Sequence, residues 1–241
     1  MALKIILCAF SAYLIGCINP AYIIGKIQGM DIRKKGSGNA GASNALILMG
    51  KSVAVFSALF DIMKAAGVMW LAPLVFRDVP VIAEVAGVSC AIGHIFPIFM
   101  RFKGGKGLAC LGGILLAIDY RLLLILLAAE IIIVVLVDYI CVVPITASVI
   151  IPVLYGVLGD LSLGWLRRAA GGWTAIGVLG VLAVVILCKH IHNLRRIAHG
   201  TELRFSYMWM KDRDAEIARV QNNQARWDAQ KAEKASAAQE K

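Results

Sequence analysis

Residues 107–137 read GLACLGGILLAIDYRLLLILLAAEIIIVVLV, an apolar run with Asp119, Tyr120 and Arg121 near its middle. As a single membrane pass it would place Asp119 and Arg121 near the bilayer centre, at a cost of about 2.5–3.5 kcal/mol each. A helical hairpin with these residues at its tip avoids that cost. Its first arm would be only about 18 Å long at 1.5 Å per residue. The run therefore predicts two passes, the first of them short, tilted or partly re-entrant.

The rest of the chain also has the composition of a membrane protein. Hydrophobic residues make up 60% of it and charged residues 17%, with a mean hydropathy of +0.78, whereas a soluble domain has about 45–50% apolar and about 25% charged residues. Five more runs are long enough to cross a bilayer core: residues 5–25, 52–76, 79–100, 139–159 and 169–188. With the hairpin, they predict an all-α membrane protein with seven transmembrane helices.

Cationic residues predict the orientation of these passes. They cluster in three connections, within residues 26–51, 101–106 and 189–204. Seven passes place all three connections on one face, which the positive-inside rule makes cytoplasmic, with the N-terminus outside. Arg167 and Arg168, before the last predicted span, go against this bias. In a membrane setting the net charge of +10 favours anionic headgroups and phosphates as partners over nucleic acid.

The composition becomes polar and charged from Leu203 onward. We therefore divide the chain into an integral membrane domain, residues 1–205, and a charged cytoplasmic tail, residues 206–241. A weak apolar stripe in the tail is consistent with an amphipathic helix along the inner membrane surface, and a disordered tail is the equal alternative. The stripe consists of Met208, Ile217, Val220 and Trp227.

The first basic connection contains GSGNAGASN, residues 36–44, directly after Arg33, Lys34 and Lys35. Glycines allow backbone N–H groups to approach an anion closely, and the Ser and Asn side chains add short donors. The segment therefore suits a phosphate or an oxyanion. Taken alone, a flexible loop between spans is the better interpretation.

The second connection contains FKGGKG, residues 102–107, and immediately precedes an apolar helix. Backbone donors at a helix N-terminus and the ammonium groups of Lys103 and Lys106 together favour a phosphate site. The spacing differs from the nucleotide-binding GxxxxGK[ST] loop. A basic anchor at the membrane edge is the alternative, which the consecutive glycines make less favourable.

The third connection contains HIHNLRR, residues 190–196, followed by GTE at residues 200–202. If the last membrane helix continues through it, His190, Asn193 and Arg196 lie three residues apart on one stripe. An imidazole, an amide and a guanidinium would then face one ligand. A hydrogen-bonded histidine without a catalytic role is an equal alternative.

GSGNAGASN, GHIFPIFMRFKGGKG and HIHNLRRIAHGTE occur in this order along the chain. They resemble the three loop motifs of the acyl-phosphate:glycerol-3-phosphate acyltransferases, the PlsY family of bacterial inner membranes. The resemblance covers about residues 1–205. It implies seven transmembrane helices, an outside N-terminus and a multi-pass inner-membrane enzyme with a cytoplasmic active site.

The resemblance also implies a reaction. A fatty acyl group passes from acyl phosphate to the 1-hydroxyl of sn-glycerol 3-phosphate, which gives lysophosphatidic acid and phosphate, the first step of phospholipid synthesis. Neither acyl-CoA, a cofactor nor a metal is expected. Motif matching implies catalytic roles for Ser37, His190 and Asn193 and a structural role for Glu202. It implies substrate-binding roles for Asn39, Lys103, Gly104, Gly105, Lys106 and Gly107.

One position departs from the family pattern. The family usually has an arginine three residues after the final asparagine of the first motif, here Asn44, and this chain has Ile47 there. Isoleucine cannot replace a guanidinium on a phosphate. We therefore expect another cation to bind the phosphate, and we choose Arg196 because only a guanidinium offers a bidentate fork. Three other cations on the same predicted face are Arg33, Lys34 and Lys35.

Two other functions fit parts of the sequence. A phosphate or organic-anion transporter would explain the basic loops, with Asp61 and Lys64 as an intramembrane coupling pair. Against transport, the ligand-suited groups lie at one membrane face and not at the midplane. A structural ion pair is the preferred interpretation of Asp61 and Lys64. A divergent, inactive member of the family is the second alternative, because of Ile47.

Overall fold

The regular structure of the protein is helical. The computed structural model describes residues 1–160, 173–206, 210 and 213–239. Its α-helices are α1 (Ala2–Gly16), α2 (Pro20–Ile27), α3 (Ala42–Met49), α4 (Lys51–Val75), α5 (Ile82–Ile95), α6 (Leu108–Ile118), α7 (Tyr120–Val137), α8 (Val142–Asp160), α9 (Trp173–Ala198) and α10 (Arg213–Gln239). Arg167, Arg168 and Met208, which the sequence singles out, lie outside the described residues.

Several helices are suited to a membrane. Within the described ranges, three segments are long and apolar enough to cross a bilayer alone: Lys51–Val75, Ile82–Met100 and Ile176–Ala198. Helices α1 and α2, bent by 40° at their junction, make a fourth when taken as one span. Shorter apolar helices lie where the remaining passes are predicted: Leu108–Ile118, Leu123–Val137 and Val142–Leu154. The all-α membrane fold is therefore confirmed, and the count of seven passes stays a prediction.

Residues 107–137 divide into two helices at Asp119, the position that the sequence predicts for the hairpin tip. Asp119 has an extended backbone, and its carboxylate accepts the Arg121 N–H at 2.7 Å, which caps the start of α7. The same carboxylate binds the Arg121 guanidinium at 3.0 Å. The charged residues are therefore placed at a helix junction, where the first arm, α6, is 11 residues long.

Glycines bring α1 and α5 into backbone contact. A Cβ atom at Gly16 would overlap the Cys90 carbonyl, and one at Gly93 would overlap the Tyr13 carbonyl. Small residues are typical of such close helix crossings in membranes. The contact places the end of α5 beside the end of α1, where the first break in the chain occurs.

A buried ion pair stabilises that break. Because α1 ends at Gly16, carbonyls near its end lose their helical partners. The Lys64 ammonium of α4 donates to the carbonyls of Gly16 at 3.0 Å and Ile18 at 2.7 Å. It also lies 2.6 Å from the Asp61 carboxylate and 3.2 Å from His94 Nδ1. These bonds support the structural interpretation of the Asp61 and Lys64 pair.

Candidate active site at the three motif loops

The first motif loop is built around a fully buried asparagine. The Asn44 side-chain oxygen accepts the Ser37 N–H at 2.9 Å, and its amide nitrogen donates to the carbonyls of Ile32 at 2.7 Å and Lys35 at 3.1 Å. Gly36 has a φ of +59° and its Cα packs against the Asn44 amide, so a Cβ there would overlap it. The segment is therefore a defined turn, which corrects the flexible-loop interpretation.

Two further contacts fix the first loop to its surroundings. Asn19, between α1 and α2, donates to the Ala40 carbonyl at 2.7 Å. Arg33 donates to the Met100 carbonyl at 2.6 Å and binds both oxygens of Asp31. The Arg33 hydrogen bonds hold the pKa of Asp31 well below its usual range. Arg33 therefore joins the first loop to the second, and it is engaged in structure instead of being available to replace the missing arginine.

The second loop packs onto the end of α5. The N–H of Gly104 donates to the Ile95 carbonyl at 3.1 Å, and the N–H of Gly105 donates to the His94 carbonyl at 3.0 Å. A Cβ at Gly105 would overlap the His94 ring. These two glycines are required for close approach. Their N–H groups bind carbonyls at the end of α5, and their role in substrate binding stays a prediction.

The two lysines of the second loop differ in environment. Gly107, at a φ of +90°, ends the loop and begins α6 as predicted. Lys103 is exposed, whereas Lys106 is half-buried and its ammonium donates to the Asn193 side-chain oxygen at 2.8 Å. Burial lowers the pKa of Lys106, and the Glu202 carboxylate opposes that shift.

The third motif lies on the C-terminal part of α9, which extends to Ala198. His190, Asn193 and Arg196 therefore share one helix face, as the sequence predicts. His190 is buried, and its Nδ1 lies 2.8 Å from the Ile186 carbonyl. A carbonyl can only accept, so this contact favours the tautomer with the proton on Nδ1, which leaves Nε2 as the proton-accepting nitrogen.

Glu202 connects the polar residues of α9. Its carboxylate accepts the Asn193 amide at 2.9 Å and the Arg196 Nε at 2.5 Å. The N–H groups of Thr201 and Glu202 donate back to the Arg196 carbonyl at 2.8 and 3.2 Å. The Asn193 amide is thereby oriented with its oxygen toward Lys106. The result is a continuous series of side chains from Lys106 through Asn193 and Glu202 to Arg196, which we call the polar relay.

The predicted site residues thus fall into two groups. Lys106, Asn193 and Arg196 lie together in the polar relay, and His190 is one helical turn from Asn193. The other group is in or near the first loop: exposed Ser37, half-buried Asn39 and exposed Ile47. Among the described residues, the two groups are connected through the second loop and its flank, by the Arg33 bond to the Met100 carbonyl and the Lys106 bond to Asn193.

Sequence reasoning missed the residues that support these loops. Asn19, Asn44 and His94 are all buried and each fixes a motif loop. The positions of Asn19 and Asn44 in or beside apolar runs could have indicated their role. A buried asparagine is costly unless its side chain bonds other polar groups, such as those of the backbone. His94 lies in the quoted second motif, but its contact with Gly105 is tertiary.

Asp61, His94 and Cys110 place donor atoms within 4.8 Å of one another, in a group that resembles a metal site. The Lys64 ammonium, 2.6 Å from the Asp61 carboxylate, already supplies a cation there. The group is therefore better suited to neutralising Lys64 than to holding a metal.

Comparison with known proteins agrees with the motifs. Residues 6–200 match the family model described as glycerol-3-phosphate acyltransferase. A glycerol-3-phosphate acyltransferase 1 of Oceanobacillus iheyensis is 31% identical over 213 residues, which cover 86% of this chain and 97% of the relative. A glycerol-3-phosphate acyltransferase of Exiguobacterium sibiricum is 38% identical over 202 residues, covering 83% of this chain and 93% of the relative.

Solved structures show the same fold. The glycerol 3-phosphate form of PlsY, an integral membrane glycerol 3-phosphate acyltransferase, superposes with a TM-score of 0.72 at 27% identity, over 85% of this chain and 96% of PlsY. Its lysophosphatidic acid form gives a TM-score of 0.69 at 26% identity, over 83% and 94%. The resemblance inferred from the three loop motifs is confirmed. This chain belongs to the glycerol-3-phosphate acyltransferase family.

Proposed function

We propose that this acyltransferase takes its acyl group from acyl phosphate and transfers it to the 1-hydroxyl of sn-glycerol 3-phosphate, on the cytoplasmic face of a bacterial inner membrane. The polar relay is the observation that carries the proposal, because it aims a half-buried ammonium and a guanidinium beside a buried imidazole. PlsY, the structural neighbour, is known in a glycerol 3-phosphate form and a lysophosphatidic acid form, which correspond to acceptor and product.

An acyl phosphate needs little further activation. It is a mixed anhydride, so the protein has to position the acceptor hydroxyl and stabilise the oxyanion that forms. The hydroxyl oxygen attacks the acyl carbon, the bond from that carbon to the phosphate oxygen breaks, and inorganic phosphate leaves. The hydroxyl proton passes to His190 Nε2 or to the donor's own phosphate.

We assign the acceptor's phosphate to the second loop. Lys106 supplies a partly desolvated ammonium, Lys103 an exposed one, and Gly107 starts α6 so that the positive end of the helix dipole faces the same region. Asn193 holds the Lys106 ammonium in place before substrate binds. Less reorganisation is then required on binding than for a free lysine.

Ser37, Asn39 and Arg196 remain for the acyl phosphate and its oxyanion. Ser37 and Asn39 lie on a turn held rigid by Asn44. Arg196 binds Glu202 through Nε, and we assign its Nη nitrogens to a substrate phosphate, in the role left open by the exposed Ile47. A rigid first loop and a fixed guanidinium suit an anhydride whose phosphate must be held while the carbonyl reacts.

The donor is tested with purified protein in detergent. Phosphate release and lysophosphatidic acid formation should both require acyl phosphate and glycerol 3-phosphate together, while acyl-CoA with glycerol 3-phosphate should give no product. Lysophosphatidic acid made from acyl-CoA would overturn the donor assignment. Absence of product with every acyl donor would identify an inactive family member, and glycerol 3-phosphate uptake into proteoliposomes without product would identify a transporter.

The seven-pass topology, with residues 1–205 as the membrane domain, predicts the sidedness of the loops. Reporter fusions at Lys35, Lys103 and Arg204 should all score cytoplasmic, and a fusion at Arg121 should score external. A cytoplasmic result at Arg121 would eliminate the hairpin as a pair of passes and separate the third motif from the other two.

Lys106→Ala should raise the KM for glycerol 3-phosphate more than it lowers kcat. A ligand to a non-reacting phosphate mainly supplies binding that is equal in ground and transition states. Loss of one charge-assisted hydrogen bond costs about 1.5–3 kcal/mol, or roughly 10- to 150-fold in KM. Lys51→Ala, which removes an exposed cation at the start of α4, is the control and should leave KM unchanged.

The same residue gives a pH dependence. Because burial lowers the pKa of Lys106, its ammonium is present below that pKa and is lost as the pH rises through it. Consequently, kcat/KM for glycerol 3-phosphate should fall on the alkaline side earlier than an ordinary lysine would cause. Lys106→Arg should move this alkaline decline to higher pH. An identical decline in both proteins would remove Lys106 from phosphate binding.

His190→Ala should lower kcat by about 100-fold or more if the imidazole is the base, with its thermal unfolding in detergent unchanged. The protonated imidazole cannot accept a proton, so the acidic decline of kcat should also disappear. His192→Ala, an exposed histidine two residues away, is the matched control. An acidic decline that persists in His190→Ala would assign the proton to the donor's phosphate.

A further inference from the structure

The C-terminal helix α10 binds the loop that carries Glu202. The Arg219 guanidinium donates to the carbonyl of Gly200 at 2.7 Å and to that of Glu202 at 3.0 Å. One turn further along, the Asn223 amide donates to the Gly200 carbonyl at 3.0 Å. Two side chains of α10 therefore bind backbone carbonyls directly after the end of α9.

Arg219 is itself held in a fixed orientation. Buried Glu216, one turn earlier on α10, accepts its Nε at 2.7 Å and its Nη2 at 2.6 Å. Glu216 also accepts the Arg204 N–H at 3.2 Å. The hydrogen bonds from Arg219 lower the pKa of Glu216, so this carboxylate stays charged at neutral pH. The guanidinium is thus preorganised for the two carbonyls.

Contacts on either side of Arg219 attach the same helix and its linker. His199 and Trp227 stack with ring centroids 4.5 Å apart. Before α10, Ser206 donates through its N–H and hydroxyl to the Asp138 carboxylate between α7 and α8, at 2.7 and 2.8 Å. The sequence predicts either an amphipathic surface helix or a disordered tail here. The described part is a helix that binds the protein through polar groups as well as Trp227.

We propose that Arg219 is a positioning residue for glycerol 3-phosphate binding. It fixes the carbonyls of Gly200 and Glu202, which holds the Glu202 carboxylate on Asn193, and Asn193 in turn holds the Lys106 ammonium. The inference rests on the proposed role of Lys106. Arg219 lies beyond residues 6–200, the part that matches the family model. Helix α10 therefore adds contacts to the Glu202 loop that the three motifs do not contain.

Replacement of Arg219 should weaken glycerol 3-phosphate binding without abolishing it, because Glu202 keeps its own bonds to Asn193 and Arg196. The loop then gains freedom, and Lys106 is in place for a smaller fraction of the time. Residues that act through a contiguous network alter affinity by modest amounts, so we expect KM for glycerol 3-phosphate to rise about 5-fold. The KM for acyl phosphate and kcat should change little.

The test compares Arg219→Ala with Arg226→Ala in the full chain, purified in detergent. Arg226 is an exposed residue of the same helix, so its replacement removes the same charge without loss of the described carbonyl contacts. Only Arg219→Ala should raise KM for glycerol 3-phosphate, with both proteins remaining folded at the assay temperature. Arg219→Lys should restore the KM only in part, because one ammonium cannot reproduce the planar fork.

A second comparison distinguishes positioning from general loosening. In the Lys106→Ala background, Arg219→Ala should raise KM no further, because residues in one network are not additive. The inference is overturned if the two substitutions raise KM by independent factors that multiply in the double variant. It is equally overturned if Arg219→Ala matches Arg226→Ala while Lys106→Ala still raises KM, and in that case the proposed phosphate site stands. Unchanged KM in Lys106→Ala itself would refute that site and the inference together.

Discussion

The ammonium of Lys64, buried among the helices, is the interaction on which the arrangement of the first two motif loops depends. A charge inside a membrane protein is costly unless partners neutralise it, and here the Asp61 carboxylate and the carbonyls of Gly16 and Ile18 do so. These bonds stabilise the break between α1 and α2. The break leads directly to Asn19, which donates to the Ala40 carbonyl of the first loop. On the other side, His94 Nδ1 lies 3.2 Å from the Lys64 ammonium, and the His94 carbonyl accepts the Gly105 N–H of the second loop. One buried cation therefore contacts both chain segments to which these loops are bonded.

The third motif positions the half-buried ammonium of Lys106, which belongs to the second loop. Lys106 gives up some hydration on burial, and Asn193 replaces it with a single oriented oxygen. Glu202 then fixes the Asn193 amide and balances the local positive charge of Arg196. A neutral amide between the lysine and the carboxylate keeps the ammonium from forming a direct ion pair with Glu202. On the role that we propose for Lys106, its ammonium can exchange this neutral acceptor for the phosphate of the substrate.

Local features of this protein follow from its sequence, and long-range pairings do not. The break at Asp119, the start of α6 after Gly107 and the shared face of α9 each depend on neighbouring residues, and each is found as predicted. The bond from the Gly104 N–H to an α5 carbonyl depends on how two segments pack, so the sequence alone does not predict it. Arg33 is a similar case, since its partner Met100 is distant in sequence.

Helix α10 follows α9 along the chain, and its contacts with Gly200 and Glu202 join it to the loop after α9. Because synthesis proceeds from the N-terminus, α1 to α9 are made before Arg219. The loop that carries Glu202 therefore gains its contacts with α10 only after translation has passed beyond α9. A chain whose synthesis stops shortly after α9 would lack the Arg219 contacts and, on the role that we propose for Arg219, would bind glycerol 3-phosphate less tightly than a chain that includes α10.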